Sequence, residues 1–129
     1  MIIDFTVENF LSFREQQTLS FIADNKNLAH SNHLLDTPIK DLKLLKVAVI
    51  YGPNASGKSN FLSALHRLKK LVVNSVSHSP NDETKILPFK LDKESRITPS
   101  TFELNFLCNG IRYNYLIELD SQRVYFEHL

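Results

Sequence analysis

The sequence is short of the residues on which disulfide-bonded, collagen-like and membrane-spanning proteins depend. Its 129 residues include one cysteine, three glycines, one methionine and no tryptophan. Because Cys108 is alone, no disulfide can form within the chain, which suits a reducing compartment. The longest apolar runs are short and are interrupted by Lys, Asn or Ser, and Asp4 and Glu8 stand where an export signal carries Lys or Arg. The sequence therefore predicts a cytoplasmic protein without a membrane segment or a membrane partner.

The composition is otherwise that of a folded domain. Hydrophobic residues make up 43% of the chain and charged residues 22%, which excludes a disordered tail and a fibrous repeat. The net charge is +1, which argues against a globally basic nucleic-acid binder. No acidic residue lies between Leu42 and Asn81, however. The basic residues in that window are Lys43, Lys46, Lys58, Arg67, Lys69 and Lys70. A positive centre of this kind fits a site for a polyanionic small ligand, or a solvated surface.

The amino-terminal part predicts a β-hairpin. Residues 2–8 alternate between apolar and polar side chains, with Ile3, Phe5 and Val7 on one face, and residues 18–23 alternate again. These segments are long enough to pair as antiparallel strands. Residues 24–41 show no period and predict a loop with at most a short helical turn.

The central part predicts a strand followed by a helix. Val47–Tyr51 is a continuous run of strand-forming residues, typical of a strand buried on both faces of a parallel sheet. After Gly57, apolar side chains recur every three or four residues up to Asn74, which predicts one long helix. The apolar stripe of that helix consists of Phe61, Leu62, Leu65, Leu68 and Val72.

The carboxy-terminal third predicts an antiparallel meander. Asn109-Gly110 separates two alternating segments and suits a type I′ turn. That turn would place Cys108 opposite Ile111, Phe106 opposite Tyr113 and Leu104 opposite Tyr115. A second turn at Ser121-Gln122 would pair Leu119 with Val124 and Ile117 with Phe126. Cys108 is then expected to be a small core residue. The predicted fold class is mixed α/β.

One segment carries a chemical motif. Residues 52–59 match the pattern G-x-x-x-x-G-K-[ST] between an apolar run and a helix start. Gly52 and Gly57 allow the backbone to turn its amides toward phosphate oxygens, and Lys58 can reach the β- and γ-phosphates. Ser59 supplies a hydroxyl for Mg²⁺. We therefore predict ATP and Mg²⁺ as cofactors, with Lys58 in the catalytic role. The predicted nucleotide-binding residues are Gly52, Pro53, Asn54, Ala55, Ser56, Gly57, Lys58, Ser59 and Asn60.

The same loop, with the segment at the start of the chain, resembles a known group of proteins. Tyr51–Asn60 is similar to the Walker A loop of ABC-type ATPase heads of the SMC, RecF and OLD-like branch, and to AAA-labelled ATP-binding proteins of bacterial antiviral defence systems. The amino-terminal matches are Ile3, Phe5, Val7, Asn9, Phe10, Ser12 and Phe13. Pro88–Asp92 and the meander from Phe102 to Leu129 match more loosely. Many ABC heads have Gly where Ala55 stands, a difference that this branch tolerates.

The resemblance implies a P-loop NTPase fold and a site that the sequence does not complete. Relatives have a Walker B strand ending in Asp-Glu, an LSGGQ-like segment from a partner head and a switch His, and none of these is found here. Tyr115–Asp120 imitates Walker B, but its alternation fits a hairpin strand. Residues 1–129 are therefore expected to be the amino-terminal lobe of a longer ATPase head, with little hydrolysis alone. The implied partners are a second head, so that ATP drives dimerisation, and DNA or a nuclease or toxin effector.

Two other functions remain open. A stand-alone P-loop small-molecule kinase would need a downstream Asp and an Arg-rich lid, and only Arg112 and Arg123 follow Arg96. A non-hydrolysing nucleotide-binding interaction module would need only the loop. The resemblance also implies a basic side chain beside the nucleotide, for which Arg14 is the candidate, although a solvated surface Arg explains it as well.

Overall fold

A computed structural model describes residues 1–24, 31–75 and 83–129. It contains one α-helix and two antiparallel sheets in these ranges. The elements, in chain order, are β1 (Ile2–Glu8), β2 (Gln17–Ser20), β3 (Leu34–Asp36), β4 (Lys43–Leu45), α1 (Lys58–Asn74), β5 (Ser100–Cys108), β6 (Ile111–Leu119) and β7 (Val124–His128). No helix in the described ranges combines the length and the apolar character needed to cross a membrane.

The larger sheet has the strand order β2-β1-β5-β6-β7. The predicted hairpin of the first two strands is confirmed, with Phe5 opposite Leu19. Strand β1 also pairs with β5, which joins the start of the chain to the meander. Helix α1 packs on this sheet through Phe61, Ala64 and Leu68, and together they form the main hydrophobic core. The sheet and the helix therefore fix the position of the loop that precedes the helix.

The meander confirms the register predicted from the Asn109-Gly110 turn. Cys108 lies opposite Ile111, Phe106 opposite Tyr113 and Leu104 opposite Tyr115. Glycine is needed here because Gly110 has a φ of 79°. Cys108 is exposed, however, so its predicted place in the core is wrong. The reason is that this end of the hairpin extends beyond the core, as the exposure of Ile111 also shows.

The second turn of the meander differs partly from the prediction. Leu119 pairs with Val124 as expected, but Phe126 lies opposite Glu118 and not opposite Ile117. A bulge between Glu118 and Leu119 shifts the register by one residue. Another irregularity lies in β1, where Ile3 is the extra residue of a bulge against β5. As a result Ile3 is buried with Leu44 and Leu107, apart from the core of Phe5 and Val7.

The predicted buried strand at Val47–Tyr51 is wrong, and with it the predicted parallel core strand. These residues form no strand, and Val47, Val49 and Tyr51 are 69%, 77% and 90% exposed. The sheets of the described residues are antiparallel, and none of their strands pairs with this segment. A run of strand-forming side chains becomes a strand only where a neighbour supplies hydrogen bonds, and here none does.

Two local predictions also need correction. The 3-10 turn at Ser31–His33 agrees with the short helical turn allowed in the predicted loop of residues 24–41, but this loop also contains strand β3, which pairs with β4 and was not predicted. Residues 25–30 of the same predicted loop lie outside the described residues. Helix α1 lies where the periodicity predicts it, but Leu62 and Val72 of the predicted apolar stripe are 60% and 47% exposed. Ala64 is buried in their stead, because the face that meets the sheet is centred on Phe61, Ala64 and Leu68.

Candidate functional site

The turn after β1 is held in place by the side chain of Asn9. Asn9 is buried, and its Nδ2 donates hydrogen bonds to the carbonyl oxygens of Ser95 and Thr98, both at 2.9 Å. Its Oδ1 accepts a hydrogen bond from the amide of Phe89 at 3.1 Å. The amide of Leu11 donates to the carbonyl of Leu87 at 3.0 Å. Residues 9–13 therefore form a platform that is tied to a distant part of the chain by the bonds of Asn9 and Leu11.

This platform lies against the carboxy-terminal end of the glycine-rich loop, which we define as residues 52–59. A Cβ on Gly57 would lie 2.9 Å from Ser12 Oγ and 3.1 Å from Phe13 Cε1, so no larger residue fits without a shift. Gly57 also has a φ of 92°, a left-handed conformation that favours glycine. Asn60 Nδ2 donates a hydrogen bond to Ser12 Oγ at 2.9 Å. The platform thus fixes both the end of the loop and the start of α1.

Lys58 holds the other end of the loop. Its Nζ donates hydrogen bonds to the carbonyl oxygens of Gly52 at 2.9 Å and Pro53 at 2.6 Å, and it lies 3.5 Å from Ser56 Oγ. The ammonium group therefore lies inside the curve of its own loop and stabilises it through these hydrogen bonds to carbonyl oxygens. A triphosphate would offer this cation stronger acceptors, since a hydrogen bond between charged groups is shorter and stronger than one to a neutral carbonyl.

The first turn of α1 adds unpaired donors at the same place. The amide of Phe61 makes the first intrahelical bond, to the carbonyl of Gly57 at 3.0 Å, so the amides of Lys58, Ser59 and Asn60 have no acceptor within the helix. No side chain caps this end, and no acidic residue lies in the first turn. Free amides and the positive end of the helix dipole both favour an anion here.

A cleft of about 380 Å³ opens beside the loop. Gly52, Pro53, Ser56, Gly57 and Lys58 line one side, and the edge of β2 lines the other. The residues of that second side include Phe13, Gln17, Thr18 and Leu19. None of the described lining residues is Asp or Glu. The cleft can therefore receive an anionic group without repulsion from a carboxylate in its described walls.

The structure brings only part of the predicted site to the cleft. Asn54 and Ala55 are exposed at the tip of the loop and do not line the cleft. Asn60 is turned toward Ser12, so its role in the structure is to fix the helix start. Ser59 is exposed on the first turn. The sequence reasoning did not assign a role to Ser12 or Phe13, although both belong to the amino-terminal pattern that it singled out.

Mg²⁺ fits this loop only as a companion of a phosphate. Ser59 offers a single hydroxyl oxygen, and the described residues contain no group of three or more His, Cys, Asp or Glu side chains that could hold a metal. Mg²⁺ keeps several waters and takes oxygen ligands from bound phosphates, so one protein ligand is compatible with it. Within the described residues, a dedicated protein metal site has no support.

The remaining candidates lie elsewhere. Arg14 Nη2 is 3.9 Å from Asp92 Oδ1, and neither side chain lines the cleft beside the loop. Hydrogen bonds from the amide and the hydroxyl of Ser95 lower the pKa of Asp92, and Arg14 lowers it further. Glu118, in the segment that imitates Walker B, belongs to strand β6 of the hairpin, as the alternation predicts.

The loop with an inward lysine, an uncapped helix start and an adjoining cleft are the features of a nucleotide-binding P-loop protein. The comparison with protein families agrees. Residues 47–129 match the AAA_21 family, described as "AAA domain, putative AbiEii toxin, Type IV TA system". The chain therefore belongs to this family of AAA domains. The match includes the loop, helix α1 and the meander, and it leaves residues 1–46 outside.

No curated protein and no solved structure matches the chain.

Proposed function

We propose that this protein binds ATP together with Mg²⁺ through residues 52–59, as the Walker A loop of an AAA-type ATPase. The observation that carries the proposal is the position of Lys58, whose ammonium group lies within the curve of the loop at the uncapped start of α1. Family membership supports nucleotide binding in general, and the matched residues 47–129 include this loop. In this proposal the β- and γ-phosphates replace the carbonyls of Gly52 and Pro53 as partners of Lys58.

Hydrolysis requires more than the described cleft contains. A P-loop ATPase uses carboxylates to orient Mg²⁺ and the attacking water, and the described lining of the cleft has no carboxylate. We therefore propose that the 129-residue chain binds ATP with little turnover. It would hydrolyse ATP once a partner or a further segment supplied the missing acidic groups. The resemblance to ABC-type heads implies this two-step function of ATP binding followed by hydrolysis. A non-hydrolysing nucleotide-binding module would differ from it only by lacking hydrolysis.

The test is calorimetric titration with ATP and Mg²⁺ of the wild-type chain and of Lys58→Ala. Losing a charge-assisted bond to phosphate is worth about 1.5–3 kcal/mol, so we expect the variant to bind at least about tenfold more weakly. Lys69→Ala is the matched control, because Lys69 is exposed on the same helix and lines no part of the cleft. Equal affinity of wild type and Lys58→Ala would contradict the proposal. Phosphate release by the wild-type chain would contradict only the low turnover.

We further propose that ATP brings two copies together, on the model of SMC, RecF and OLD-like heads, in a defence-related ATPase acting on DNA or on a toxin or nuclease effector. The exposure of Tyr51 and of the tip of the loop supports a second surface closing over the nucleotide. Light scattering with and without ATP and Mg²⁺ tests this step. A constant molar mass at saturating ATP would exclude nucleotide-driven dimerisation while leaving nucleotide binding intact.

A further inference from the structure

A second concave site lies along α1, from Leu62 to Lys70, beyond the helix start that adjoins the glycine-rich loop. It is a groove of about 510 Å³ that runs between α1 and the segment at residues 85–87. We call it the basic groove. Its rim and walls are formed by Leu62, His66, Arg67, Lys70, Lys85 and Leu87. None of the residues of the glycine-rich loop lines it, so nucleotide binding does not explain it.

Both walls of the basic groove are rigid parts of the fold. On the helix side, Leu62, His66 and Lys70 follow one another at intervals of four residues and so lie in a row along α1. On the other side, Ile86 is fully buried between Lys85 and Leu87, which turns both of these side chains outward. The amide of Thr84 donates to the carbonyl of Ser121 at 3.0 Å, which anchors the segment to the meander. The groove is therefore present without any rearrangement.

The described ionisable side chains that line the basic groove are all basic. Arg67, Lys70 and Lys85 line it together with His66, and the part of its lining that the structure describes contains no Asp or Glu. In the described ranges the ion pairs are Arg14 with Asp92 and Lys43 with Asp36, so none of the groove's cations is paired. Cations gathered in a concavity raise the local concentration of an anionic partner. The groove thus selects for negative charge.

The apolar surface of the groove narrows the choice of anion. Leu62 and Leu87 are 60% and 43% exposed on its two walls, and Phe10 and Leu11 lie in its lining as well. A nucleic-acid backbone presents mainly phosphate and sugar oxygens, so it covers exposed leucines poorly. Its bases would need an exposed aromatic ring to stack on, and Phe10 is only 2% exposed. A peptide that alternates acidic and aliphatic side chains can satisfy both the rim and the walls.

We infer that the basic groove is a docking site for an acidic segment of a partner protein that carries leucine-like anchors. The aliphatic anchors lie between Leu62 and Leu87, and the carboxylates face Arg67, Lys70 and Lys85. The nucleotide site lies at the start of α1, and none of the described residues that line its cleft lines the basic groove, so the two sites can be tested separately.

Fluorescence anisotropy with a labelled peptide of four Leu-Asp-Glu repeats tests the inference on the full chain. A Ser-Asp-Glu peptide of equal length and charge is the control ligand. We expect the leucine peptide to bind, and the serine peptide to bind about tenfold more weakly, because it lacks the buried anchors. Single-stranded and duplex DNA of similar total charge are the competing ligands. Preference for either DNA over the leucine peptide would overturn the inference, as would absence of peptide binding.

Matched variants separate the groove from general attraction. Lys70→Glu reverses a charge on the rim of the groove and should weaken peptide binding about fivefold or more. Lys69→Glu, on the same helix but outside the groove, should change the peptide affinity less than about twofold. Leu62→Ser should also weaken binding, and Val73→Ser, which is exposed outside the groove, should not. Equal effects within either pair would refute a specific site. Lys58→Ala should leave peptide binding unchanged, so this result stays independent of the nucleotide proposal.

Discussion

The contact between Gly57 and the platform of residues 9–13 gives the sharpest test of how the loop is held. Gly57 and Gly110 both have left-handed backbones, with φ of 92° and 79°. Alanine in such a conformation costs about 1–2 kcal/mol, of which about 0.4–1 kcal/mol is recovered because alanine restricts the unfolded chain. On backbone grounds alone, Gly57→Ala and Gly110→Ala should each destabilise the protein by about 1 kcal/mol.

The surroundings of the two glycines differ. A Cβ on Gly110 would meet Pro38 Cγ at 3.5 Å, an ordinary contact. A Cβ on Gly57 would lie 2.9 Å from Ser12 Oγ, which forces a movement of the platform. Overpacking of this kind adds about 1–3 kcal/mol. We therefore expect Gly57→Ala to destabilise the protein by about 2–4 kcal/mol, clearly more than Gly110→Ala.

Urea unfolding followed by circular dichroism measures both values, with Gly110→Ala as the control for backbone strain. Gly57→Ala should cost less in a Ser12→Ala background than in wild type, because Ser12→Ala removes the hydroxyl that the new Cβ would meet, and Ser12→Ala alone accounts for the lost bond from Asn60. Equal destabilisation by Gly57→Ala and Gly110→Ala, within about 0.5 kcal/mol, would refute the close packing of the platform on the loop.

Two further predictions concern the core. Asn9→Ala should lower the free energy of unfolding by about 2–4 kcal/mol, because it removes the side-chain partner of the carbonyl of Thr98 and of the amide of Phe89. Asn54→Ala, at an exposed position, should change it little in the same urea assay. Burial and the hydrogen bond to Glu127 at 2.7 Å raise the pKa of Tyr115. The protonated hydroxyl of Tyr115 therefore stabilises the folded protein at neutral pH, and this stabilisation is lost as the pH rises above the unfolded-state pKa of about 10. Stability measured from pH 9 to pH 11 should therefore fall more steeply in wild type than in Tyr115→Phe, and parallel curves would contradict this.

Local sequence signals predicted the parts of the fold that a short segment determines by itself. A two-residue Asn109-Gly110 connection leaves one register for its strands, and that register is the observed one. The next turn depends on a side chain. Asp120 Oδ1 accepts hydrogen bonds from the amides of Gln122 at 2.7 Å and Arg123 at 2.9 Å, next to the bulge that shifts Phe126. Alternation alone contains no information about such a bond.

The candidate site likewise has parts that consecutive residues determine and parts that depend on distant residues. The pattern of residues 52–59 located the loop and the helix start, since both are encoded in consecutive residues. The partners of the loop come from far away, because Asn60 and Ser12 are 48 residues apart and the Asn9 bonds span more than that. Val47–Tyr51 shows the converse, since strand propensity without a pairing neighbour left the segment exposed. Long-range pairing is therefore the information that the pattern did not contain.

The two ends of the loop are held by different means, and this bears on how a nucleotide would act. The platform fixes Gly57 through packing, which a ligand at the cleft does not replace. Gly52 and Pro53 follow an exposed, unpaired segment and are held by bonds from Lys58. A bound triphosphate would compete for that same ammonium group. Nucleotide binding would then free the carbonyls of Gly52 and Pro53 from Lys58 while Gly57 stays in place, so phosphate recognition would loosen only the amino-terminal end of the loop.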